Sequence, residues 1–130
     1  MPPMLMAVLA VAIGGGIGAL TRWMLSYQLN PYFPAIPPGT LASNILGGYI
    51  VGFAIAFFAA RPDIAPEWRL FIITGFCGGL TTFSTFSAEV VMLMQQGELV
   101  KMGIAMALHL AGSLAATILG IATWTWIGSA

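Results

Sequence analysis

Uncharged hydrogen-bonding side chains dominate the polar part of this sequence, and they gather in three places. Thr40, Ser43, Asn44 and Gly47/Gly48 follow i, i+3, i+4 and i+7/i+8 spacing, which is one face of a helix. His109, Ser113 and Thr117 repeat at i, i+4 and i+8, again a single stripe. Between them in sequence lies the run Gly75-Phe76-Cys77-Gly78-Gly79-Leu80-Thr81-Thr82-Phe83-Ser84-Thr85-Phe86-Ser87, with Ser84, Thr85 and Ser87 beside Phe83 and Phe86. Hydroxyls, an amide and an imidazole can all donate hydrogen bonds, which is the chemistry of a path for an anion. Rings of acidic residues line cation paths; within the apolar stretches here only Glu89 is acidic.

Each group also has an ordinary structural reading. A single Ser or Thr in a membrane helix bonds back to its own backbone in most cases, and Phe83 and Phe86 read as packing residues. Three stripes of matching character favour a shared polar track. Phenyl rings carry a positive edge, so rings turned edge-on form a dry, weakly positive collar that admits only a small anion. If the chain unwinds around Gly78-Gly79-Leu80-Thr81, freed backbone carbonyls call for a partner, either a desolvated alkali cation or neighbouring hydroxyls. Arg22 either snorkels to the interface or raises the anion concentration at a pore mouth. Glu89 reads as a structural hydrogen-bonding group, and His109 as a neutral one in the stripe.

The elements that position these groups are membrane helices. Of the 130 residues, 59% are hydrophobic and 6% charged, against roughly 25% charged in an average soluble domain. No polar stretch is long enough to fold a soluble domain. A spanning helix needs about 20 mostly apolar residues, and four fit, roughly Met4–Tyr27, Gly39–Ala60, Leu70–Met94 and Met102–Ile127. The fold expected is therefore all-α, a single transmembrane domain of four helices. Hydroxyls and glycines from Thr74 to Ser87 are tolerated at membrane depth only where they are buried in protein or line a wet path. The prolines of Asn30–Pro38, the turn Arg61–Glu67 and Gln95-Gln96-Gly97-Glu98 form the connections. No cation precedes Arg22, so the first span is expected to be retained and not cleaved as a signal peptide. The lone Cys77 excludes an intramolecular disulfide, there is no zinc-type ligand cluster, and no basic run suits nucleic acid.

Loop cations set membrane orientation. Arg61 and Arg69 fall on the side of the termini, with Arg22 and Lys101 opposite, so neither orientation is favoured and insertion both ways is expected. Four helices hardly enclose a polar path alone, which points to an oligomer. Small residues four apart, Gly14/Gly18, Gly48/Gly52, Gly75/Gly79 and Gly112/Ala116/Gly120, suit close helix contacts within or between subunits.

Gly39-Thr40-Leu41-x-x-Asn44-x-x-Gly47-Gly48, followed by Gly75-Phe76-x-Gly78-Gly79-Leu80-Thr81-Thr82-Phe83-Ser84-Thr85-Phe86-Ser87-x-Glu89, closely resembles the CrcB family, the Fluc fluoride channels. The resemblance covers essentially the whole chain. It implies an antiparallel, dual-topology homodimer in a microbial cell membrane, with a break in the third helix and two fluoride pores. In each pore, Phe83 of one subunit and Phe86 of the other would form an aromatic box. Asn44 would be a polar pore residue, Ser84 and Thr85 would belong to a polar track beside the box, and Ser113 and Thr117 would face the pore from the fourth helix, with His109 in the same stripe. Carbonyls of Gly78 and Thr81 from both subunits would hold a structural sodium ion, and Arg22 would face the vestibule. Such a protein exports toxic fluoride passively and is not an enzyme.

Two other readings are weaker. A small multidrug exporter resembles this chain in size but depends on a carboxylate deep in its first helix, where this sequence has neither Asp nor Glu. A non-transporting assembly subunit would leave the clustered donors without a purpose.

Overall fold

The computed structural model describes residues 2–129, and the described chain is almost entirely helical. Helix α1 covers Pro3–Leu29 and leads into a 3-10 turn at Asn30–Tyr32; α2 covers Pro38–Ala60. The next run begins with the single turn α3, Pro66–Arg69, continues as a π-helical stretch at Leu70–Cys77, and ends in the turn α4, Gly78–Leu80. Helices α5, Phe83–Gln95, and α6, Leu99–Gly128, complete the chain. Taken as runs, Pro3–Tyr32, Pro38–Ala60, Pro66–Gln95 and Leu99–Gly128 are four helices long and apolar enough to cross a membrane.

Local chemistry explains the boundaries. Pro3, Pro38 and Pro66 each open a helix, where the missing N–H would be unpaired in any case. The first turn of α2 is capped from a distance: Asn30 Oδ1 accepts the Gly39 N–H at 2.7 Å and the Thr40 N–H at 3.3 Å. Two residues past the end of α5 stands Gly97, whose φ of 74° suits glycine. There the N–H groups of Gly97 and Glu98 turn back to the carbonyls of Met94 and Leu93, closing the helix end.

Two glycine seams set the packing. α1 lies against the third span, where a methyl group added at Gly18 would come within 2.8 Å of the Leu80 amide nitrogen and one at Gly75 within 3.0 Å of Gly14 Cα. α2 lies against α6, where a methyl at Gly120 would come within 2.7 Å of the Phe53 amide nitrogen. At these positions backbones touch with no room for a side chain, the arrangement that small residues permit in lipid. The four-residue glycine spacings thus serve contacts within the chain. The outward faces carry large apolar residues such as Met4, Val8, Ile13, Leu114 and Ile118, as a hydrocarbon solvent requires. Polar pairs at the helix ends, Arg61–Asp63 at 3.5 Å and Lys101–Glu98 at 3.7 Å, are exposed and contribute little.

Candidate functional site

The third span is where the site is organised. Its first half ends with Leu80, Thr81 and Thr82 take extended backbone (φ −89°, ψ 155° and φ −151°, ψ 112°), and helix resumes at Phe83. Thr82 caps the second half, its Oγ1 accepting the Thr85 N–H at 3.1 Å. The backbone groups freed at this point acquire long-range partners. The Thr82 N–H donates to Asn44 Oδ1 at 2.7 Å, and Asn44 Nδ2 donates to the Thr82 carbonyl at 3.2 Å. Arg22 Nε donates to the Gly79 carbonyl at 3.0 Å. Asn44 therefore replaces a piece of the missing helical ladder with its side-chain amide, and Arg22 covers a second freed acceptor.

Beside the extended pair lies an open cavity of about 470 Å³. Asn44, Gly78, Thr81, Thr82, Phe83, Phe86, His109 and Ser113 all contribute to its walls, and no carboxylate among the described residues does. The two phenyl rings meet edge to face, with centroids 5.6 Å apart at 64°. Phe86 is buried, whereas Phe83 is 73% exposed. The imidazole of His109 packs on Phe86 with centroids 4.5 Å apart, and its Nδ1 accepts from Asn44 Nδ2 at 3.0 Å.

Other candidates lie elsewhere. Ser84 and Thr85 are exposed on the outer face of α5. The Thr117 hydroxyl sits in the α2–α6 seam, directed at the carbonyls of Gly48 and Ser113, each at 3.0 Å. Arg22 is half-buried against the third span and is held there by the Gly79 carbonyl. Glu89 accepts from the Thr40 hydroxyl at 2.7 Å, a structural tie between α5 and α2.

Two structural roles, one at the site and one at the start of α2, escaped the reading of spacing. Thr82 is both helix cap and partner of Asn44; a threonine preceding a helix start is a recognisable capping signal. Asn30 fills the other, and its position after the first span gives no hint that it caps the second.

Curated relatives match nearly end to end. The chain is 60% identical over 121 residues to a protein of Chromobacterium violaceum described as fluoride-specific ion channel FluC, covering 93% of this chain and 96% of that one. A protein of Tolumonas auensis with the same description is 59% identical over 120 residues, covering 92% and 94%. One of Pseudomonas putida, again so described, is 57% identical over 124 residues, covering 95% and 98%. These bacterial relatives are described as ion channels and not as enzymes. With residues 9–121 matching the family described as CrcB-like protein, Camphor Resistance (CrcB), and with four helices able to span a bilayer, the chain is a multi-pass membrane protein that belongs to the CrcB family.

Proposed function

We propose that this protein is a fluoride channel that lets the anion leave the cell passively, through two pores formed by an antiparallel homodimer. The observation that carries the reading is the cavity wall, which combines the edge-to-face pair Phe83/Phe86 with the polar groups of Asn44, His109 and Ser113 and holds no carboxylate among the described residues. A small anion loses hydration on entering such a space, and donors fixed in a low-dielectric wall offset that loss. Phenyl edges add weak positive potential and narrow the opening, which disfavours larger anions.

The second subunit follows from what one subunit leaves uncovered. Phe83, Ser84 and Thr85 are exposed on α5, and hydroxyls facing lipid are costly. A second copy laid antiparallel would cover them, with Phe83 of one protomer completing the box around Phe86 of the other and Ser84 and Thr85 forming a track beside it. Ser113 would flank the path from α6, with Thr117 one turn further along, its hydroxyl held in the α2–α6 seam. Inserting both ways suits the balanced loop cations, Arg61 and Arg69 on one side against Arg22 and Lys101 on the other.

A structural sodium ion belongs to the same proposal. Breaking the third helix leaves the Gly78 carbonyl without the Thr82 N–H that a continuous helix would supply, because that N–H goes to Asn44. Gly78 and Thr81 from both subunits would then hold the ion by carbonyl oxygens, the donor type a hard alkali cation takes. Bound there, sodium would neutralise the carbonyl dipoles where the subunits meet. Arg22, anchored through Nε, keeps its terminal amino groups for attracting anions at the vestibule.

The test is growth in fluoride. Expressed in bacteria that lack their own fluoride export, the protein restores growth at fluoride concentrations that otherwise arrest the cells. Absence of rescue by protein shown to be in the membrane refutes the proposal.

A further inference from the structure

Asn44 and His109 divide their work in a way that their residue types alone do not reveal. The Thr82 N–H can only donate, which fixes the Asn44 carboxamide with Oδ1 toward it at 2.7 Å. Nδ2 then faces the Thr82 carbonyl at 3.2 Å and His109 Nδ1 at 3.0 Å. Its two hydrogens are both engaged. Asn44 thus has no free donor to turn toward the cavity. Because Nδ1 of His109 accepts a hydrogen bond it carries no proton, so the neutral imidazole has its proton on Nε2.

That Nε2–H is buried and has no hydrogen-bond partner among the described residues, on a side chain only 3% exposed. An unpaired buried donor is costly, and native proteins keep few of them without a purpose. The ring forms part of the cavity wall and packs at a tilt against Phe86, one of the two phenyl rings of the cavity. We infer that His109 is the side chain that donates to the anion at this point of the path, through Nε2–H, and that Asn44 is a positioning residue that locks the imidazole in that tautomer. The inference rests on the fluoride-channel reading and assigns roles within it. Nε2 is sealed from solvent in this structure, so a neighbouring side chain moves aside before an anion reaches the donor. Coupling the tautomer to the Thr82 clamp also ties the donor's orientation to the two extended residues of the third span.

His109 is the only histidine of the chain, so ring nitrogen signals of the histidine-labelled protein in bilayers assign themselves. At neutral pH the expected spectrum has one protonated nitrogen, identified as Nε2 by its coupling to the ring Hδ2. Adding sodium fluoride shifts that nitrogen, and equal sodium chloride leaves it in place. A protonated Nδ1 overturns the tautomer. An unshifted Nε2 in a preparation that still conducts fluoride overturns the donor role while leaving the channel reading intact.

A pair of substitutions gives an independent check in liposomes. Glutamine presents its amide nitrogen near the place of Nε2, and asparagine presents its own near Nδ1. His109→Gln is expected to keep flux within about threefold and His109→Asn to lower it about 10–100-fold, the loss of one strong hydrogen bond. Equal flux from the two, with both folded, overturns the assignment.

Discussion

Adding one methyl group at Gly120 tests the α2–α6 seam directly. The Cβ of an alanine there would lie 2.7 Å from the Phe53 amide nitrogen and closer still to the Tyr49 carbonyl oxygen, where ordinary contact begins at 3.4 Å. The helices must therefore separate by roughly 1 Å, and overpacking of this kind costs about 1–3 kcal/mol. The same movement stretches the bonds from Tyr49 Oη to Thr123 Oγ1, now 2.8 Å, and from Thr117 Oγ1 to Gly48 O, now 3.0 Å. Each contributes about 1 kcal/mol net. Against this stands the helix propensity of alanine over glycine, a gain of about 1 kcal/mol. The net expectation is a loss of roughly 2–4 kcal/mol. Gly103 lies in the same helix with nothing within 4 Å of its Cβ position, so Gly103→Ala should be neutral or stabilising by up to about 1 kcal/mol. Thermal denaturation of the two variants in one detergent, followed by loss of the monodisperse species, checks the pair. Equal midpoints would refute the backbone-contact reasoning at Gly120.

Phe83→Ile and Phe86→Ile should each slow fluoride flux by tenfold or more, a barrier increase of about 1.4 kcal/mol; unchanged liposome efflux in both variants would remove the aromatic box. Asn44→Asp replaces a donor to Thr82 and His109 with a carboxylate, and repulsion of about 4 kcal/mol at 4 Å and an effective dielectric of 20 predicts near-complete loss of efflux; normal conduction would mean that Asn44 is remote from the path. Exchanging sodium for a large organic cation should disturb the dimer or its activity, read by size-exclusion chromatography and efflux; indifference would contradict an ion at Gly78 and Thr81. A tag at the C-terminus should be accessible from both sides of the membrane; protection on one side alone would contradict dual insertion.

The spans were legible because lipid leaves the sequence few choices: charge is excluded from long runs, and prolines and Gly97 punctuate them. The inward face of α2 was legible too, since spacing alone put Thr40, Ser43, Gly47 and Gly48 on one side, and all four are buried. What each hydroxyl does was not legible. Thr117 and Thr81 both return to carbonyls four residues back, as membrane hydroxyls commonly do, but only Thr117 also reaches another helix. The bond from Arg22 to Gly79 and the clasp of Asn44 on Thr82 join residues far apart in sequence. Such pairs depend on how closely glycine lets helices approach, and periodicity within one helix carries no record of that.

Fluoride release from liposomes containing the purified protein, followed with a fluoride electrode and repeated with chloride loading, tests the central claim most directly. Fast fluoride efflux without chloride efflux is the predicted result. No flux of either ion from folded protein, or equal flux of both, would contradict a selective fluoride path through this cavity.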